Sequence, residues 1–276
     1  MNIFSVRIIL LSLTCAFSFL TQASNSVEKP ALDLKNELTA LDVIQRNIKS
    51  ESSVDESTNV EIILQNSRGK TQKRTLIWKT VTMPSGDKKT LVFFEFPKFI
   101  KGTSLLTVEN SKADDERWLY LPSIKKTRRI SGSEKSDNFF GTDFSYEDLV
   151  SENILDNDYQ FKKDDNCDKS CFTIVATPST EKHRTESGYS KRELTVDSTT
   201  YSILSVDFYD KSGRKSKTYK AESFQTVNDD GATRPFKTTM TDLINDHMTI
   251  MNFSEYTINN GIDESQISLR ALRRNN

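Results

Sequence analysis

The chain of 276 residues carries 38 lysines and arginines against 39 aspartates and glutamates, and 35% of its residues are hydrophobic. Near-neutral charge removes the long-range attraction on which a general nucleic-acid or membrane-surface binder depends. The length fits one large β domain as well as two small ones.

Met1 to Arg7 forms a short n-region with one cation. The stretch from Ile8 to Leu20 is apolar to weakly polar, and Thr21-Gln22-Ala23 supplies small residues before a cut. That order predicts a cleaved secretory signal over residues 1–23, because a run of about 13 residues falls short of the roughly 20 that a spanning helix needs. Cys15 raises the alternative of a lipid-modified N-terminus, but Ser12-Leu13-Thr14 lacks the expected preceding pattern. Residues 24–276 are then the exported part, expected as a single domain. Cys167 and Cys171 remain as its pair, and in an oxidising compartment they read first as a disulfide. The closed loop is small, so the bond would contribute only about 1 to 2 kcal/mol. A metal site is the alternative reading, and two thiols without a nearby histidine make an incomplete ligand set.

Leu34, Leu38, Leu41, Ile44 and Ile48 recur at helical spacing and predict one amphipathic helix, starting at either Pro30 or Thr39, where Thr39 and Asp42 resemble a capping box. From Asn59 the period changes to two. Short strands are predicted at 59–64, 75–81, 90–96, 103–108, 117–121 and 126–130. After a loop and a short helix near Ser145 they continue at 159–162, 172–176, 190–196, 203–209, 217–224, 236–242 and 249–256. Strands at such intervals, without helices between them, favour an antiparallel barrel, half-barrel or sandwich.

Both faces of several strands are apolar. Val92, Phe94 and Phe96 oppose Leu91 and Phe93, and Trp118 and Tyr120 oppose Leu119 and Leu121. A half-solvated sheet would show polar residues on one side. One face is therefore expected under the helix and the other against a second sheet or a cavity, and periodicity alone separates neither a filled interior from a ligand space nor a concave face from a convex one.

Groups suited to catalysis are sparse. His183 lies in a charged stretch expected as a loop, and His247 is expected in a turn. No G-x-S-x-G elbow, H-E-x-x-H zinc motif, phosphate loop or dinucleotide fingerprint occurs. Asp114-Asp115, Asp164-Asp165 and Asp229-Asp230 sit beside turn residues and read first as solvated turns, with the acid and base pair of a hydrolase as the alternative. No catalytic residue, metal or cofactor is expected.

The segment from Phe93 to Leu149 joins Phe96-Pro97, Lys101-Gly102-Thr103-Ser104-Leu105-Leu106, Trp118-Leu119-Tyr120-Leu121-Pro122, Arg128-Arg129-Ile130 and Phe140-Gly141-Thr142-Asp143-Phe144-Ser145-Tyr146-Glu147-Asp148. Together with Gly261-Ile262-Asp263 and Leu269-Arg270-Ala271-Leu272 near the end, this order resembles the outer-membrane lipoprotein-sorting-like family. These are relatives of the LolA carrier, in the branch associated with RND or MMPL-type exporters. The resemblance implies a mainly β fold, a strongly curved antiparallel sheet forming an incomplete barrel, with an N-terminal helix and short helices across its concave face. It also implies a periplasmic, non-enzymatic carrier of lipid or lipoprotein acyl chains; the alternative is an accessory protein of an exporter that transports nothing itself. A monomer is favoured.

Phe94, Phe96, Trp118 and Tyr120 are the candidate contacts for an acyl chain. Phe140, Phe144 and Tyr146, with Phe139, are expected either as a plug of the core or as a gate over the hollow. Lys125, Lys126, Arg128 and Arg129 suit phosphate headgroups or an acidic partner surface, or equally a charged strand edge that blocks aggregation. Ser145 and Asp148 have the spacing of a helix cap.

Overall fold

Thr39 decides where the helix begins. Its hydroxyl accepts the Asp42 N–H at 3.1 Å while the Asp42 carboxylate accepts the Thr39 N–H at 2.8 Å, a reciprocal cap that starts α1 at Ala40–Ser50. The computed structural model describes residues 38–110, 113–151, 154–162, 170–229 and 231–273. The expected leader at 1–23, the alternative helix start at Pro30, Cys167 and the Asp164-Asp165 pair all lie outside the described residues. Ala40, Val43, Ile44 and Asn47 form the buried stripe of α1. Residues from Leu38 onward make one compact unit.

All thirteen predicted strands are present: β1 Asp55–Gln65, β2 Thr71–Thr82, β3 Lys88–Phe96, β4 Ser104–Glu109, β5 Glu116–Leu121, β6 Lys126–Ile130, β7 Asn157–Phe161, β8 Cys171–Pro178, β9 Lys191–Asp197, β10 Ile203–Tyr209, β11 Lys215–Thr226, β12 Thr233–Asp242 and β13 His247–Ile258. They form one antiparallel sheet in the order β6-β5-β4-β3-β2-β1-β13-β12-β11-β10-β9-β8-β7. The chain thus meanders outward from β1 to the edge strand β6, crosses to the opposite edge at β7, and meanders back to the centre at β13. Register shifts at Ser57/Asn59, Thr75/Leu76, Ile203/Ser205 and Phe208/Tyr209 bend the strands.

The curvature is visible in what the core joins. Leu105 and Leu119 from one end of the strand order share a cluster with Ile174 and Leu194 from the other end, together with Val43 and Ile44 of α1. One face of the sheet is therefore concave, with α1 lying on it. Asn47 of the helix donates to the Tyr201 carbonyl at 2.9 Å, tying α1 to the turn between β9 and β10.

The opposite face carries its own cluster. Val81, Leu91, Leu106 and Tyr120 are covered by Ile267, Ala271 and Leu272 of the C-terminal segment. Ser104 donates to the Leu272 carbonyl at 2.6 Å and anchors that cover on β4. The two apolar faces thus have different covers, a helix and a long connection on the concave side and the chain's own end on the convex side.

Two local expectations are corrected. His183 sits in a short helix, α2 at Glu181–Glu186, because the Thr180 hydroxyl caps its backbone N–H at 3.2 Å. His247 opens β13, just after the turn instead of within it.

Leu272 is 1% exposed. Truncating such a side chain loses its transfer energy and leaves a cavity, typically at a cost of 2–5 kcal/mol. Leu272→Ala is expected to lower the urea midpoint by an amount equivalent to about 2–4 kcal/mol; a midpoint within experimental error of the parent would mean that the C-terminal cover is not part of the cooperative fold.

Candidate functional site

The connection from β6 to β7 has to pass from one edge of the sheet to the other, and it carries the aromatic residues singled out in the sequence. Phe139 is fully buried, stacked on Phe94 at 5.6 Å between ring centroids, with Phe140 edge-on to both at 5.1 Å and Tyr146 edge-on to Phe139 at 5.9 Å. Three further contacts hold the segment. Arg74 of β2 donates to the Phe140 carbonyl, the Thr249 hydroxyl of β13 donates to Asp143 at 2.6 Å, and the Asp143 N–H donates to Thr249 at 2.9 Å. Phe140 and Gly141 both take positive φ, 48° and 71°, which lets the chain double back at this point. The Ser145 N–H donates to Asp148 Oδ2 at 2.7 Å, the backbone half of the expected cap, at the head of a 3-10 turn over Glu147–Leu149.

Beside this aromatic cluster lies a cavity of about 850 Å³ on the concave face. Its apolar wall comes from Trp78 of β2, Val206 and Phe208 of β10, Met240 of β12 and Met251 and Phe253 of β13, with Phe144 closing one side. Phe144 meets Tyr219 edge-on at 6.3 Å. Charged groups line the remainder. Arg234, 7% exposed, pairs with Glu56 at 2.9 Å and also donates to the Glu51 carbonyl.

On the side where the two ends of the sheet approach one another, polar contacts join them. Lys135 pairs with Glu186 of α2 at 3.2 Å, Lys182 pairs with Asp114, and the Gly188 N–H donates to Glu147 at 2.7 Å. The Tyr189 hydroxyl lies 3.0 Å from both Asp148 oxygens, and His183 Nε2 lies 3.2 Å from Asp156. Burial pushes the Glu147 carboxyl above its usual range, with adjacent Asp148 adding to the shift and the Gly188 N–H opposing it.

Of the aromatic candidates, Phe144 lines the cavity, while Phe94, Phe140 and Tyr146 form the packed cluster next to it. Phe96, Trp118 and Tyr120 are elsewhere. The register shift between Thr75 and Leu76 sets Phe96 opposite Thr75 instead of in line with Phe94, and Phe96 is 50% exposed. Trp118 and Tyr120 pair with Leu106 and Ser104 on the convex face, beneath the C-terminal segment.

The cationic run is divided by strand alternation. Lys126 and Arg128 stand opposite Leu121 and Leu119, whereas Arg129 stands opposite Trp118, whose ring it overlies at 5.8 Å. Arg128 and Arg129 are paired with Glu134 at 2.6 Å and Glu116 at 3.3 Å. Lys125 is the left-handed residue before edge strand β6. The wall residues of β10 to β13 were missed, although their alternation was legible, because only the β1–β13 pairing brings them opposite β2.

A family model described as an uncharacterized protein matches residues 86–274. No curated protein matches the chain. Among solved structures, the chain is similar to a Vibrio parahaemolyticus domain named for outer membrane lipoprotein sorting, with 28% identity, a TM-score of 0.78, and coverage of 85% of this chain and 98% of that one. It is equally close in shape to a DUF1329 family protein from Desulfovibrio piger, with TM-score 0.78, 25% identity, and coverage of 84% and 97%. A LolA superfamily protein from Nitrosomonas europaea shares the fold at 17% identity and TM-score 0.66, with coverage of 85% and 100%.

The raised Glu147 carboxyl has a consequence for stability. Between the ordinary value of 4.5 and its higher folded value, the native state holds more protons than the unfolded chain. Stability therefore falls as pH rises through that window, and the cost persists at neutral pH. Glu147→Gln, which keeps an acceptor for Gly188, is expected to stabilise the protein at pH 7 and to be neutral below about pH 4. Denaturant titrations at the two pH values check this; an equal effect at both, or a loss at pH 7, contradicts it.

Proposed function

The chain belongs to the family whose model, described as an uncharacterized protein, matches residues 86–274, and from its likeness to a domain named for outer membrane lipoprotein sorting we propose that it is a periplasmic carrier that takes up lipid or the acyl chains of lipoproteins in the concave-face cavity. The observation that carries this reading is the cavity itself. A volume of about 850 Å³ lies within the range of sites that enclose small-molecule ligands, and its wall of Trp78, Val206, Phe208, Met240, Met251 and Phe253 is apolar and partly methionine. Methionine is unbranched and adapts to chains of varying outline. Each methylene moved from water to such a wall gains about 0.8 kcal/mol, so affinity is easily reached and release is the harder requirement. The aromatic segment between β6 and β7 answers it in this reading: it covers the site through side-chain packing and a few polar ties.

In the same reading, residues 1–23 are the export leader, and Cys167 and Cys171 form a disulfide in keeping with an oxidising compartment. An RND or MMPL-type exporter is the inner-membrane partner. Carriage needs no nucleophile or general base, so the proposed role is non-enzymatic.

Native mass spectrometry of protein purified from an exporting host tests the reading. A lipid or acylated species is expected to travel with the parent protein. Met251→Trp, which fills the cavity, is expected to weaken retention by more than about 100-fold, the equivalent of roughly four displaced methylenes. Trp118→Ala, on the convex face, is expected to leave retention unchanged. A parent protein that never carries an acyl species and takes up none in vitro contradicts the proposal.

A further inference from the structure

Cross-strand register stratifies the concave face along the strand direction. One row across β1 to β5, Thr58, Trp78, Val92, Leu105 and Leu119, is almost wholly apolar. The next row towards the β2–β3 turn is Glu56, Thr80, Thr90, Thr107 and Arg117. Beyond it stand Thr82, Lys88 and Glu109. Thr80, Thr90, Arg117, Lys88 and Glu109 all line the cavity, as does Trp78 at the boundary between apolar and polar rows.

The polar rows hold capacity that the fold does not use. Arg117 is 7% exposed, donates from Nη2 to Asp115 at 3.1 Å, and has no partner for its buried Nε–H. A guanidinium so placed can grip a further oxyanion. Lys88 reaches Ser151 Oγ at 2.9 Å, and the Ser151 N–H donates to Glu109 at 3.2 Å, which sets a cation and a carboxylate side by side at the rim. Asp115, the partner of Arg117, and Glu109 both line the cavity and repel one another, so two carboxylates stand beside Arg117 and Lys88 in these rows. Burial holds Glu109 above the usual carboxylate range, with Lys88 opposing the shift. A bare acyl chain would satisfy neither the arginine nor the carboxylate pair. A purely anionic headgroup would meet the first and be repelled by the second.

We propose that these two rows are a headgroup subsite and that the ligand is a zwitterionic amphiphile of the aminophosphate type. Its phosphate meets Arg117 and Lys88, its ammonium meets Glu109, and its acyl chain runs past Trp78 into the apolar part of the cavity. This rests on the carrier reading and assigns it a ligand class and an orientation, head at the rim and tail inward.

The two tryptophans allow a direct test in the full chain. In a Trp118→Phe background only Trp78 remains to report binding by fluorescence. The probes are lysophosphatidylethanolamine, lysophosphatidylglycerol and monoacylglycerol with one shared myristoyl tail, used below micelle formation, and glycerophosphoethanolamine without a tail. The ethanolamine lipid is expected to bind about tenfold more tightly than either of the other lipids, and the tailless headgroup far more weakly.

Arg117→Gln is expected to remove the advantage over monoacylglycerol, and Glu109→Gln the advantage over lysophosphatidylglycerol. Unchanged monoacylglycerol affinity in both variants shows the fold intact; if Arg117→Gln loses it, Glu109→Gln and the parent's own ranking decide. Equal affinity for all three lipids overturns the headgroup subsite and leaves the carrier reading standing. Tight binding of the tailless headgroup overturns the proposed orientation. Failure of every tailed probe overturns both readings.

Discussion

A meander whose two outermost strands are consecutive in the chain has to carry their connection across its own open side. That constraint organises this protein. Strands β6 and β7 are the edges of the thirteen-stranded sheet, so the segment between them cannot be a hairpin and must bridge the concave face. The sequence supplies that bridge with Phe139, Phe140, Phe144 and Tyr146, and Phe94 of β3 receives the first two. The closing element is thus placed by topology and held by ring packing, by Arg74 on the Phe140 carbonyl, and by the Asp143–Thr249 pair.

The rest follows from how two apolar faces are covered. The convex face is closed by the chain's own C-terminal segment, with Ile267 and Leu272 almost fully buried. The concave face curves too widely for α1 and the bridging segment to fill, and the remainder is the cavity beneath Phe144. Register then divides its wall. Alternation selects the inward residues of each strand, and pairing from β1 to β5 lines up Trp78 with Val92 and, one row on, Thr80 with Thr90 and Arg117 with Thr107. The apolar and polar rows of the sheet wall come from pairing alone, and the β6–β7 connection adds Phe144 over the one and Ser151 beside the other.

Much of this was legible in the sequence. The period of two, broken by turn residues, marked every strand, and Thr39 with Asp42 marked the helix start because capping is local chemistry. What alternation could not supply was the sign of the curvature. Trp118 and Tyr120 belong to an apolar set as clear as that of Leu119, and only the partners across β4 and the C-terminal cover reveal which set faces inward. The bulge that turns Phe96 away from Phe94 involves an extra residue between paired strands, a tertiary feature that a single strand's pattern does not carry. The wall contributed by Val206, Met240 and Met251 was missed for a related reason: their strands adjoin β2 only through the β1–β13 pairing of distant segments. The four cations near residue 126 formed a block in sequence; Lys125 precedes the edge strand, and alternation along it splits Lys126 and Arg128 from Arg129.

The central claim is that an acyl chain lies against the β12–β13 wall of the concave face. Methionine methyl resonances report on this directly, since Met240 and Met251 line the cavity whereas Met83 packs with the convex cluster. In methyl-labelled protein titrated with a myristoyl lipid, the account predicts that the Met240 and Met251 signals shift in a saturable manner while Met83 stays in place. Saturable shifts at Met83 with Met240 and Met251 unmoved would contradict it.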